Sequence, residues 1–235
     1  MATPSDVLAA MLRSDPARPR VTCYDDTPGP TRGERIELSA KVLANWVNKA
    51  ANALQEEWDL GPGSRVRLAL PPHWRSLYWA LAVWSVGATA VLDDGPCDLV
   101  VTDDGSLAAE SSSPVVLVTL AALARGARGP VPSGAMDEAR ELSTYADQFS
   151  PWQEPAPSEA AVSQDGADTA YEDVVPQRSW PSGVRIHTAT EDLRTALELA
   201  LATWASDGSI VLSLGPEPAS GRAERLASEG VTLDL

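Results

Sequence analysis

Several residue types are scarce in this sequence, and each scarcity limits what the chain can do. There are two cysteines, Cys23 and Cys97. Two are too few for a disulfide framework, and they have no metal-ligand spacing, so both read as ordinary reduced thiols. The two histidines, His73 and His187, have no cysteine cluster beside them, which argues against a zinc site. Lys41 and Lys49 are the only lysines among 18 basic residues, a usage typical of a high-GC genome. Basic charge is short overall: 33 acidic residues leave a net charge of −15. A field of that sign repels phosphodiester backbones and anionic lipids, so neither nucleic acid nor membrane is expected as a partner. No window approaches the roughly 20 apolar residues of a membrane span, and no apolar run follows a basic start. The expected location is the cytoplasm.

What is present is enough for a folded core. The chain has 235 residues, 44% of them hydrophobic, which suits one large domain or two small ones. Val7, Leu8, Met11 and Leu12 recur at helical spacing between Ser5 and Arg13, and Pro16 closes that segment. Val21 to Tyr24 and Glu34 to Leu38 alternate around a Pro- and Gly-rich loop and predict a pair of hairpin-like strands.

The stretch from Ile36 to Leu92 organises the rest. Ser39 is placed to cap a helix running to Trp58, with Leu38 and Leu43 as a hydrophobic staple. Gly61, Pro62 and Gly63 turn the chain into a strand, Arg65 to Leu70, which Pro71 and Pro72 end. The next helix, Trp74 to Val86, is apolar nearly all round and must be buried between layers. Gly87 and a strand from Ala88 to Leu92 complete a parallel βαβ unit.

Further along, Leu99 to Thr102 and Val115 to Thr119 are expected as buried strands, and Leu120 to Ala124 and Met136 to Phe149 as helices. Residues 150–179 read as an acidic Pro/Ala/Ser linker or loop. The last segment repeats the earlier plan: strand Val184 to His187, helix Glu191 to Ser206 capped by Thr190, strand Ile210 to Leu214, helix Ala219 to Ser228 and strand Val231 to Leu233. ALAVWSVGATAVL, from Ala80, and ALATWASDGSIVL, from Ala200, even share their wording. The expectation is a layered αβα protein with mostly parallel sheets, divided into an N-terminal α/β subdomain over 1–149, the linker, and a smaller βαβ unit over 180–235.

The residues from Ser5 to Asp104 resemble the adenylate-forming superfamily of acyl-CoA synthetases, peptide-synthetase adenylation domains and luciferases. VLAAMLRSDPARPRVTCYDD resembles that family's opening helix, P-x-x-P segment and first strand. The run from Glu37 to Leu92 resembles its L-(S/T)-Y-x-E-L helix, G-x-G-D-R-V turn and G-A-x-x-V-P-L junction, with Ser64 for the usual Asp and His73 near the usual Asn. CDLVVTDD, Cys97 to Asp104, resembles the strand written A-x-x-L-V-T-D. The likeness over residues 180–235 is looser. More narrowly, the chain is similar to the short actinobacterial relatives of these enzymes.

The resemblance implies an ATP phosphate loop, S-G-T-T-G-x-P-K-G, because backbone amides and a cation must neutralise a triphosphate. In its expected place stands SEAAVSQDGADTAYEDVV, without lysine or glycine cluster. From Asp137 to Asp173 ten acidic residues face the single Arg140, a charge that should repel ATP. The family's adenine motif and the subdomain with its catalytic lysine are not found either, so no catalytic residue carries over and no cofactor is expected.

Candidate cleft residues remain. His73 and Trp74 stand at a strand end and helix start, where α/β folds place ligands. Asp93 and Asp94, and Asp103 and Asp104, follow strands and have the oxygen chemistry of Mg²⁺ or Ca²⁺ ligands, but solvated turn acids are far commoner and no metal is expected. His187 ends a strand of the second unit. Each histidine reads more simply as a capping or packing residue. Three functions follow: a non-catalytic binding or interaction module with a protein partner, half of a split acyl-CoA synthetase, or a binder of a small acyl, CoA or nucleotide ligand.

Overall fold

A computed structural model describes residues 2–216 and 221–235. Its first helix, α1 (Pro4–Ser14), opens with a capping box in which Thr3 and Asp6 satisfy each other's backbone N–H. Strands β1 (Pro19–Asp25) and β2 (Glu34–Ser39) then pair antiparallel, as their alternation predicts. The Ser39 hydroxyl accepts from Val42 N and starts α2 (Ala40–Trp58). Asp59, in the left-handed region at φ 53°, ends that helix two residues before the first of the expected glycines.

Strand β3 (Arg65–Ala69), helix α3 (Trp74–Ser85) and strand β4 (Thr89–Val91) follow as the expected parallel unit. Every residue of α3 but Ser85 is buried, since it packs on α1, α2, β1 and β3 at once. Next come β5 (Leu99–Thr102), α4 (Gly105–Glu110), β6 (Val115–Leu117), β7 (Met136–Asp137) and α5 (Glu138–Glu141). The expected helix over 120–124 is irregular chain, and that over 136–149 is reduced to β7, α5 and a 3₁₀ turn at Leu142–Thr144. Asp137 and Glu138 at its start are drawn into buried contacts that a regular helix would not allow them.

Residues 150–179 also differ from the expected linker. They carry β8 (Ala160–Gln164) and β9 (Ala167–Ala170), an antiparallel hairpin. β8 also pairs in parallel with β4. The chain ends with β10 (Arg185–Thr188), α6 (Leu193–Ala205), β11 (Ser209–Leu214), α7 (Arg222–Ser228) and β12 (Leu233–Asp234). Asp192, not Thr190, caps α6. The expected last helix began at Ala219; Ala219 and Ser220 lie outside the described residues.

Two mostly parallel sheets result, ordered β7-β6-β5-β3-β4-β8-β9 and β12-β10-β11-β1-β2, with α1, α2, α3 and α6 packed together in the core. β10, β11 and β12 are not a sheet of their own: β11 lies parallel to β1, with Val21 opposite Ile210 and Cys23 opposite Leu212.

The echo between the two βαβ units extends to detail. Gly63 and Gly183 both take positive φ before their strands, at 87° and 79°. Arg65 faces Thr89 as Arg185 faces Ser209. Ala88 N donates to Val83 O, and Gly208 N to Thr203 O. Gly87 and Asp207, at φ 85° and 55°, hold the same left-handed position. In each unit one buried tryptophan fixes the neighbouring strand: Trp84 Nε1 donates to Ala161 O at 2.8 Å and Trp204 Nε1 to Arg20 O at 3.1 Å.

Candidate functional site

The segment where a phosphate loop is expected is the β8–β9 hairpin. Asp165 and Gly166 form its two-residue turn, both at positive φ (53° and 75°), which is the conformation that joins antiparallel strands most tightly. Gln164 stands opposite Ala167 and Ser163 opposite Asp168 in the ladder. The turn is also tied down from outside: Asp165 N donates to Asp93 Oδ2 at 2.5 Å, and Gly95 N to Asp93 Oδ1 at 2.8 Å. Those backbone hydrogen bonds hold the Asp93 carboxyl below the usual carboxylate range. Asp94, next to it, pairs with Arg67.

His73 and Trp74 lie together at the start of α3, with ring centroids 5.5 Å apart. Nδ1 of His73 accepts from Arg75 N, and Ser76 Oγ accepts from His73 N, so the histidine closes a capping box. Burial, with Arg75 adding to it, pushes His73 down to about 3, which keeps the ring neutral at any ordinary pH. Trp74 packs on Trp46 and Tyr78, with the Arg75 guanidinium 4.4 Å from its ring. Arg75 is itself buried and pairs with buried Glu138 at 2.6 Å; Tyr78 donates to the same carboxylate oxygen. Burial pushes the Glu138 carboxyl up, with Arg75 opposing.

Asp103 and Asp104 do line a cleft, of about 670 Å³, at the carboxyl ends of β5 and β6 together with Ser106, Thr119 and Arg128. Asp104 accepts from Ser106 N and Leu107 N as the cap of α4. Among the described residues no group of three or more His, Cys, Asp or Glu side chains could hold a metal ion. A second cavity, about 260 Å³, is a mostly apolar slot between Trp84, Leu92, Val162, Leu197 and Leu201, with Arg194 beside it bonded to Glu198 and Thr169. Nothing in the sequence pointed to this slot, because its walls come from α3, β8 and α6, far apart along the chain.

His187 sits apart from the other candidates, in the five-stranded sheet. It is fully buried, with Nδ1 2.7 Å from Asp234 Oδ1 and Nε2 3.0 Å from Ser213 Oγ. The seven sequence candidates therefore fall into four places: His73 with Trp74 in the core, Asp93 and Asp94 beside the hairpin, Asp103 and Asp104 at the carboxyl ends of β5 and β6, and His187 between Ser213 and Asp234. Cys23 is buried, which pushes its thiol up to about 12 and makes it inert.

No family model matches the chain. A protein of Mycobacterium tuberculosis described as a TIGR03089 family protein is 35% identical over 246 residues, covering 96% of this chain and 95% of its own. The chain belongs to the TIGR03089 family. Solved structures show the fold that this TIGR03089 member adopts. An acyl-CoA synthetase of Brucella canis matches 99% of the chain with a TM-score of 0.75 at 16% identity, over 47% of its own length. The N-terminal domain of FACL13 from Mycobacterium tuberculosis matches all of it with a TM-score of 0.69 at 15% identity, over 62% of its own. VinN, solved with L-aspartate, matches 99% with a TM-score of 0.69 at 16% identity, over 66% of its own. The fold is that of the N-terminal part of adenylate-forming enzymes, and the chain spans about half the length of the Brucella synthetase.

Proposed function

We propose that this TIGR03089 protein is a relative of the acyl-CoA synthetases, non-catalytic in their adenylation reaction, that uses their N-terminal fold as a binding or interaction module. The observation that carries this reading is the β8–β9 hairpin. A triphosphate is held by unpaired backbone amides and a cation. Here the amides belong to an antiparallel ladder, the turn amide of Asp165 is committed to Asp93, and the side chains added are Asp165, Asp168, Glu172 and Asp173. Each of these features opposes a bound polyphosphate. The apolar slot beside Arg194 gives such a module room for a small acyl, CoA or nucleotide fragment without the chemistry of adenylation.

Thermal-shift measurements with MgATP, AMP, CoA and acyl compounds test this. A ligand at 100 times its Kd adds about 2.7 kcal/mol of stability. The expected result is no shift with MgATP; a shift of that size with MgATP would remove the basis of the proposal. A second reading, half of a split acyl-CoA synthetase, is favoured by one observation, the coverage of about half the Brucella enzyme. It requires a tight complex with a second chain carrying a lysine-bearing phosphate loop, and purification from the native host as a monomer would count against it.

A further inference from the structure

We infer that Ser213, His187 and Asp234 form a nucleophile, base and orienting acid, competent for acyl transfer from a small ester and covered by α7. This site is independent of the binding reading above and lies in the other sheet. His187 and Asp234 are register partners on β10 and β12, and Ser213 lies on the adjacent β11 two residues beyond Val211, the partner of His187, and so on the same face of the sheet. The sense of the contacts is the one acyl transfer needs: carboxylate on Nδ1 at 2.7 Å, hydroxyl on Nε2 at 3.0 Å. With its proton on Nδ1, neutral His187 accepts from Ser213 and donates to Asp234. After taking the serine proton it still donates to both, so the transfer breaks no hydrogen bond. Asp234 also receives Arg222 at 2.7 Å, which holds its carboxyl below the usual range and ionised. Ser213 stands near the carboxyl end of β11, two residues before Gly215 (φ 77°), where the chain leaves the sheet.

In the reaction Ser213 Oγ would attack the ester carbonyl carbon as its proton passes to His187 Nε2. The ester C–O bond breaks, and His187 returns the proton to the leaving alcohol. Water then attacks the acyl serine, giving one proton through His187 back to Ser213 and releasing the carboxylic acid.

Ser213 is buried, so access depends on what lies above it. α7 has no buried residue and is held on the sheet by charge: Arg225 to Asp26 at 2.7 Å, Arg222 to Asp234, and Glu229 to Arg35 and Arg185 at 2.7 and 2.5 Å. Of these pairs Arg222–Asp234 is the exposed one and weakens as salt rises, and with no buried residue of its own α7 is the cover most easily lifted.

The test is labelling of the full chain with a fluorophosphonate probe, read by mass spectrometry, at about 0.05 M and about 0.5 M salt. Label is expected on Ser213, faster at high salt and faster in Arg225→Gln. Ser213→Ala should abolish it, and His187→Gln should slow it about 100-fold or more, the usual share of a general base. Circular dichroism of each variant separates loss of the base from loss of the fold. No label on Ser213 at either salt concentration, or equal labelling rates in folded His187→Gln and wild type, would overturn the assignment.

Discussion

Trp84 and Trp204 offer a direct test of the paired βαβ units. Each is about 2% exposed, lies in the last turn of the helix between two parallel strands, and donates its indole N–H to a carbonyl of the next strand. Replacing either by phenylalanine leaves that carbonyl, Ala161 O or Arg20 O, without its indole donor in a buried site, a loss of about 1–3 kcal/mol. The ring lost is roughly 40 Å³ of side chain, which at about 24 cal/mol per Å³ adds roughly 1 kcal/mol if the surroundings do not collapse. Each substitution should therefore cost about 2–4 kcal/mol and lower the Tm by about 4–8 °C for a chain of this size. Urea denaturation followed by circular dichroism avoids the signal change that losing a tryptophan brings to fluorescence. The two costs should agree within about 1 kcal/mol, because the two indoles hold corresponding positions. A cost below about 0.5 kcal/mol for either variant would refute the claim that the indole fixes the adjacent strand.

Three other substitutions probe the interior and the charged cover. Arg75→Leu strands the Glu138 carboxylate among buried groups and should cost about 3–5 kcal/mol; because burial already raises that carboxyl, the loss should be smaller at pH 5 than at pH 8, and urea midpoints at the two pH values check it. Gly208→Ala would put a methyl 2.3 Å from Val184 O and 2.8 Å from Thr203 O, both backbone, so a destabilisation above about 2 kcal/mol in the same denaturation assay is expected. Burial would raise Glu229, but hydrogen bonds from Arg35, Tyr24 and Arg185 bring it down to about 2. Its contribution is present above the ordinary carboxylate range and is lost as pH falls toward 2, so the stability gap between wild type and Glu229→Gln should close between about pH 5 and pH 2 in acid-denaturation curves.

Much of the fold was legible because its signals are local. The Ser39 cap, the β1–β2 alternation and the all-round apolarity of α3 each lie within a dozen residues or so, and each took the form expected. The β8–β9 hairpin was missed for an identifiable reason. Its Asp165–Gly166 turn is a strong hairpin signal, but Ala, Ser, Thr and Asp in the flanking strands carry no apolar alternation. The 136–149 segment has helical composition, yet Asp137 bonds Ala127 N and Glu138 bonds Arg75, tertiary contacts that override propensity. Of the three residues proposed for acyl transfer, the sequence singled out only His187, as a strand-end histidine, because Ser213 and Asp234, 26 and 47 residues away in sequence, meet it only through strand order. His73 was identifiable too, and its role as a buried cap depends on packing that no sequence spacing reveals.

The central claim is that the hairpin has replaced the nucleotide-phosphate site while the surrounding fold is kept. ATP–pyrophosphate exchange by the purified chain, assayed with a panel of aliphatic, aromatic and amino carboxylic acids, tests it most directly. The account predicts exchange no faster than in a protein-free control for every acid. Exchange above that control with any one of them would contradict it.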